Sequence, residues 1–268
     1  MSRFSCLDIS EPRLEHGGLR FVTAGSPALK GRGNLCVYVP PAELAPPEAG
    51  PLPVITLLHG LFGAEWNWPL KGAAHHTAER LMRDGHLRPC VLAMPSDGFR
   101  GDGTGYFAHG GRDYERWIVE DVHAALVELN LRCDADSPRC IAGLSMGGFG
   151  AMYLAARHPD TFHAASGLSP AVDLTTLPER VAHPDWSFDP GTPMPRVIET
   201  LRAADRLPPF RFDCGRDDEL FAGNVALHEQ LDDAGIPHTF VANPGAHDWP
   251  YWTAHLAETL RFFESHLP

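Results

Sequence analysis

Residues 139–150 read Arg-Cys-Ile-Ala-Gly-Leu-Ser-Met-Gly-Gly-Phe-Gly, and this stretch constrains the fold more than any other. A short apolar run, Cys140 to Ala142, has the character of a buried strand. It passes directly into Gly143-Leu144-Ser145-Met146-Gly147, a G-x-S-x-G, and then into a helical pattern carrying Phe149, Met152 and Leu154. Strand, sharp turn and helix in that order form the context of a nucleophile elbow. The two glycines are required because a Cβ at either position would collide with the neighbouring strand or helix. The turn would leave Ser145 Oγ exposed beside the free N–H groups of a helix N-terminus.

The remaining pattern extends that unit into a sheet. An alternating run at Leu35–Val39, a continuous one at Val54–Leu58, and further candidates at Cys90–Met94, Cys140–Ala142, His163–Leu168, Phe210–Asp213 and Thr239–Val241 predict strands. Between them, Ile118, Val122, Ala125, Leu126 and Leu129 mark one face of a helix over 114–130, and further helices are expected at 220–235 and about 250–266. Strands that are apolar throughout, separated by helices, predict a mostly parallel α/β sheet covered on both faces. The Pro/Ala-rich stretch from Pro40 to Pro53 reads as a surface loop within one continuous sheet, so residues 1–268 are expected to form one domain. Residues 170–209 hold eight of the 25 prolines together with Trp186 and Phe188, and read as a small lid or an irregular helical connection.

Charge and composition exclude several partners. With 22 basic and 34 acidic residues the formal charge is −12, which disfavours nucleic acid and anionic membrane surfaces. No run approaches membrane-spanning length, and the first residues show no secretory apolar segment. The six cysteines are scattered without a C-x-x-C. They read as small core residues of a reducing, cytoplasmic environment. His75-His76 lacks the H-E-x-x-H pattern, Gly101-Asp-Gly-Thr-Gly105 lies in a polar loop with no helix starting at its glycines, and no Walker A sequence occurs. No cofactor or metal is expected, and the oligomeric state, including a homo-oligomer, is left open.

A serine nucleophile needs a base, an orienter for the base and an oxyanion hole. Past the strand at 210 comes Asp213-Cys-Gly-Arg-Asp217-Asp218, and past the last strand Asn243-Pro-Gly-Ala-His247-Asp248-Trp249. Both lie where strands meet loops at their carboxyl ends, the edge that carries sites in such sheets. His247 is the candidate base, and Asp217 and Asp218 compete to orient it. The oxyanion hole is expected from the N–H of Met146 and that of Leu61, which follows the sharp turn at Gly60. Phe62, Trp66, Trp68, Trp186 and Trp249 are the candidate pocket residues.

Four motifs in this order, Leu58-His59-Gly60-Leu61-Phe62-Gly63 with Trp66 and Trp68 behind it, Ala93-Met94-Pro95-Ser96-Asp97-Gly98, Gly143-Leu144-Ser145-Met146-Gly147-Gly148 and Gly245-Ala246-His247-Asp248-Trp249, carry a family resemblance. Across roughly residues 35–265 the chain resembles the esterase branch of the α/β-hydrolase family, which includes esterase D, S-formylglutathione hydrolase and tributyrin-type acetyl esterases. The resemblance implies an α/β-hydrolase fold and a serine carboxylesterase acting on small ester substrates through Ser145, His247 and an acid. The family's G-x-x-D corresponds to Gly215-Arg216-Asp217-Asp218 and favours Asp218. A short acyl chain is expected. The cysteine that often follows the oxyanion turn in S-formylglutathione hydrolases is absent here, where Phe62-Gly63-Ala64 stands. Acyl transfer or thioester hydrolysis on the same scaffold, and a non-catalytic binding protein, are the competing readings.

Overall fold

The structure, a computed structural model, describes residues 2–98, 103–181, 188 and 191–268. Nine strands form one sheet: β1 Leu7–Ile9, β2 Leu19–Ser26, β3 Gly31–Tyr38, β4 Val54–Leu58, β5 Val91–Pro95, β6 Arg139–Leu144, β7 Ala164–Leu168, β8 Phe210–Gly215 and β9 Thr239–Asn243. Their spatial order is β1-β2-β3-β5-β4-β6-β7-β8-β9. The first three pair antiparallel, as do β3 and β5; from β5 to β9 every pair is parallel. All seven runs expected to be strands are strands. β1 and β2 were not foreseen. β1 is an edge strand with no fully buried residue, and Arg20, Phe21 and Thr23 of β2 retain solvent contact, so neither shows the continuous apolar signal of the parallel core.

Helices cover both faces, as parallel strands require. One side carries α2 (114–128), α3 (Met146–Arg157), α4 (Val197–Ala203) and α5 (Phe221–Asp233); the other carries α1 (Ala74–Arg83) and α6 (Trp249–Glu264). The apolar stripe of α2 is buried as its spacing requires, with Ile118, Val122, Ala125 and Leu126 at 1% exposure or less. Its middle, Trp117–Asp121, is a wide π turn. There Trp117 donates its indole N–H to the Ser96 carbonyl, and buried Asp121 accepts from Ser26 Oγ and the Ala28 N–H. On the opposite face Leu81 of α1 and Leu256, Leu260 and Phe263 of α6 are fully buried. Among the described residues, no helix is long and apolar enough to cross a membrane. Cys36, Cys90, Cys140 and Cys214 are buried and unbridged, and burial pushes the Cys36 and Cys140 thiols up to about 12.

The topology collects six loops at one edge. β4 ends into His59-Gly60-Leu61, β5 into Ser96-Asp97, β6 into Ser145, β7 into Ser169, β8 into Asp218 and β9 into His247. Because these strands are parallel, all six loops leave the same side of the sheet.

Candidate active site

Ser145 stands between β6 and α3 at φ 53°, ψ −118°, a conformation that a residue with a Cβ adopts only when its surroundings impose it. Its N–H bonds the Leu168 carbonyl at 3.0 Å, and its carbonyl accepts from Phe149 and Ala171, each at 3.0 Å. The glycines around it have no alternative. A Cβ on Gly143 would overlap the Gly147 carbonyl, and one on Gly147 would overlap the Leu58 carbonyl. The strained serine is therefore clamped from three sides, with its side chain in a cleft of about 150 Å³.

His247 and Asp218 reach the same point. His247 Nε2 lies 3.0 Å from Ser145 Oγ, and its Nδ1 lies 2.8 Å from Asp218 Oδ2. The Asp218 side chain is fully buried. Burial would raise its carboxyl, but the hydrogen bonds from His247 and from the Leu220 N–H, with Ser169 behind them, outweigh that and hold it below the ordinary carboxylate range. An ionised carboxylate only accepts, so His247 Nδ1 carries the hydrogen and Nε2 is left to accept from the serine hydroxyl. Asp217, the competitor in sequence, is exposed, and its backbone N–H bonds Gly245 instead. Trp252 stands edge-on to the His247 ring at 5.0 Å.

The loop after β4 is braced from several directions. The Asp97 N–H donates to His59 Nε2 at 3.1 Å, so Nδ1 holds the ring hydrogen and donates it to the Gly60 carbonyl at 2.8 Å. Tyr106 Oη donates to the His59 carbonyl, and Trp68 Nε1 to the Leu58 carbonyl, both at 2.9 Å. Leu61 and Met146 line the cleft next to Ser145, and Met146 is the first residue of α3, where a backbone N–H has no partner within the helix. A Cβ on Gly103 would meet both Leu61 and Met146, so that end of the 101–105 loop packs on the site; Gly101 and Asp102 lie outside the described residues. The bracing roles of His59, Tyr106 and Trp252 had no local signature in the sequence.

The aromatic wall requires correction. None of Phe62, Trp66, Trp68 or Trp249 lines the cleft, and Trp186 lies outside the described residues. Trp68 is 1% exposed and packs edge-on against Trp249, so it is a core brace under β4. Phe62 and Trp66 face solvent. The walls come instead from Leu61 in the loop after β4 and from the segment after β7, with Val172, Leu174 and Leu177 apolar, and Arg180 and Glu219 add charge to the lining. If Trp68 is a brace, Trp68→Ala should cost about 3–5 kcal/mol of unfolding free energy, read from the urea midpoint. A pocket-wall residue would instead change KM and leave the midpoint in place.

The family model described as "Putative esterase" matches residues 26–263. The chain belongs to the Esterase family. Among relatives, it is 27% identical over 177 residues to an endo-1,4-beta-xylanase/feruloyl esterase of Xylanibacter ruminicola, covering 64% of this chain and 24% of that protein. It is 27% identical to an esterase of Mycobacterium tuberculosis over 60% of this chain and 42% of that one. The chain thus spans less than half of these two relatives. With an acetyl esterase of Caldicellulosiruptor saccharolyticus it shares 25% identity over 79% of this chain and 83% of the relative. Among solved structures, a ferulic acid esterase superposes with a TM-score of 0.75 at 25% identity over 97% of both chains. The serine hydrolase FphF of Staphylococcus aureus superposes with a TM-score of 0.76 at 22% identity, covering 96% of this chain and 98% of that one, a likeness of fold. This Esterase-family member therefore has the α/β-hydrolase fold expected from its motifs.

Proposed function

We propose that the protein hydrolyses carboxylic esters of small acyl groups through an acyl-enzyme formed on Ser145. The observation that carries this reading is the unbroken hydrogen-bonded line Asp218–His247–Ser145, opening into a cleft at the carboxyl edge of the sheet. His247 Nε2 takes the hydroxyl proton as Ser145 Oγ attacks the ester carbonyl, and then gives it to the departing alkoxide. Asp218 fixes the tautomer and stabilises the imidazolium formed in between. The N–H groups of Leu61 and Met146 receive the oxyanion. Water, deprotonated by the same imidazole, then attacks the acyl-enzyme and releases the acid.

Size supports a short or single-ring acyl group. A cavity of about 150 Å³ accommodates a molecule the size of benzene, and the cleft here has that volume. A hydroxycinnamoyl group is the second reading, favoured by the relatives described as feruloyl and ferulic acid esterases. A p-nitrophenyl ester series from acetyl to palmitoyl, run beside methyl ferulate, S-formylglutathione and acetylated sugars, tests both. We expect kcat/KM to be highest between acetyl and butyryl and to fall by about tenfold or more by palmitoyl, since a group that does not fit loses its binding energy in the transition state. A steady rise toward palmitoyl would overturn the short-acyl reading, and methyl ferulate exceeding every alkyl ester would select the aromatic one. Partition of the acyl group between water and an added alcohol separates hydrolysis from transfer.

A further inference from the structure

Far from Ser145, a second cluster of polar side chains has the composition of a metal site. His228 and Asp232 sit one turn apart on α5, and His238 lies just before β9. One ligand atom from each falls within 4.8 Å of the others. His238 stands at the amino end of β9 and His247 beyond its carboxyl end, so a strand of five residues, roughly 16 Å, separates this cluster from the esterase edge.

The hydrogen-bond pattern shows what the cluster lacks. The His238 side chain is only 2% exposed. Its Nδ1 lies 2.8 Å from the Ile236 carbonyl, which can only accept, so Nδ1 bears the hydrogen and the buried Nε2 is bare. His228 Nδ1 lies 2.8 Å from that Nε2 and must donate to it. A neutral His228 ring then has a bare Nε2, and this atom faces Asp232 Oδ2 at 3.6 Å. Two lone-pair-bearing atoms oppose each other, one of them on a carboxylate. A proton on His228 Nε2 or a cation bound among the three groups removes that conflict, and the convergence of all three ligand atoms within 4.8 Å suits the cation.

We propose that His228 Nδ1, His238 Nε2 and Asp232 Oδ1 hold a divalent late transition-metal ion of the Zn²⁺ class, with water in the remaining position. Two imidazoles and one carboxylate select such ions over Mg²⁺ or Ca²⁺. The ion takes the place of the hydrogen between the two rings, and that hydrogen is transferred to His228 Nε2 by exchange with solvent, with no net proton release. His228 then carries its hydrogen on Nε2 and donates it to Asp232 Oδ2. The bond from His238 to the Ile236 carbonyl is the outer-shell contact that orients a metal-bound imidazole. Two metal–nitrogen bonds of 2.0–2.1 Å at a tetrahedral angle span about 3.4 Å, so the rings need to part by about half an ångström. His228, whose side chain is 38% exposed, has room to do so. The ion would fasten α5 to the edge strand β9, which it already meets where the His228 ring lies 5.2 Å from that of Phe240.

The test is titration of the tag-free, metal-stripped full chain with ZnCl₂ by calorimetry at pH 8. We expect one Zn²⁺ per chain and a Zn²⁺-dependent rise in the thermal midpoint. His228→Ala and Asp232→Ala, both changes at partly exposed positions, should each weaken binding by about tenfold or more. Both should keep full activity toward p-nitrophenyl acetate, and Asp232→Ala should also keep the native metal-free midpoint. Co²⁺ should give the visible absorption bands of a tetrahedral site in the native chain only. Absence of Zn²⁺ heat in the native chain at 100-fold the protein concentration would overturn the assignment. Undiminished affinity in the His228→Ala/Asp232→Ala double variant would do so equally, because the ion would then sit elsewhere.

Discussion

Ser145→Ala is expected to abolish covalent labelling by a fluorophosphonate and to lower kcat toward p-nitrophenyl acetate by about 10⁴-fold or more. The size follows from what is removed. Without Oγ no acyl-enzyme forms, and only the oxyanion donors and substrate positioning remain. The fold should survive, because alanine keeps the Cβ already accommodated at φ 53° and leaves intact the backbone bonds to Leu168, Phe149 and Ala171. The urea midpoint should therefore stay within about 1 kcal/mol of the native value, or rise slightly as a solvated hydroxyl is lost from a strained site. Labelling that persists in Ser145→Ala at the native rate would place the reactive nucleophile on another residue and remove the basis of the proposed mechanism.

Much of this arrangement could be read before any coordinates, and the reasons differ by element. The elbow was legible because strand, G-x-S-x-G and helix follow one another directly in the chain: Gly143 is required by the Gly147 carbonyl within the same turn, and Gly147 by the Leu58 carbonyl of the neighbouring strand. The parallel strands were legible because burial on both faces leaves the run almost wholly apolar, as in Val54–Leu58, where Thr56 is the one hydroxyl. β1 and β2 lack that burial and so lack the signal. The aromatic residues misled for a related reason. A tryptophan lining a pocket and one bracing a strand both follow the β4 loop in the same composition. What separates them is the bond from Trp68 Nε1 to the Leu58 carbonyl, made across ten residues of chain. The same limit applies to His238: its partners on α5 show the spacing of a shared helix face, but the third group arrives from beyond the helix. His75 stands outside any H-E-x-x-H, although α1 places Glu79 four residues beyond it, one turn along the same face.

The choice between Asp217 and Asp218 was not decided by residue type, and it yields the second large effect. Asp218→Asn is expected to lower kcat by about 10³–10⁴-fold, whereas Asp217→Asn should stay within a few-fold of native. The amide that replaces the Asp218 carboxylate would offer His247 either a donor, which forces the wrong tautomer, or a weaker neutral acceptor. Asp217 faces solvent and touches neither ring nitrogen. The two substitutions also separate in their pH dependence. The Asp218 carboxyl is held below its usual range in the folded state. A depressed acid contributes stability that is fully present above its unfolded value of about 3.9 and is lost as pH falls through the lower folded value. Native protein should therefore lose this contribution only below about pH 4, while Asp218→Asn lacks it at every pH and shows a shallower decline of the urea midpoint between about pH 5 and pH 2. An Asp217→Asn variant that loses activity by about 10³-fold while Asp218→Asn keeps it would reverse the assignment, and with it the account of which loop residue holds the imidazole in place.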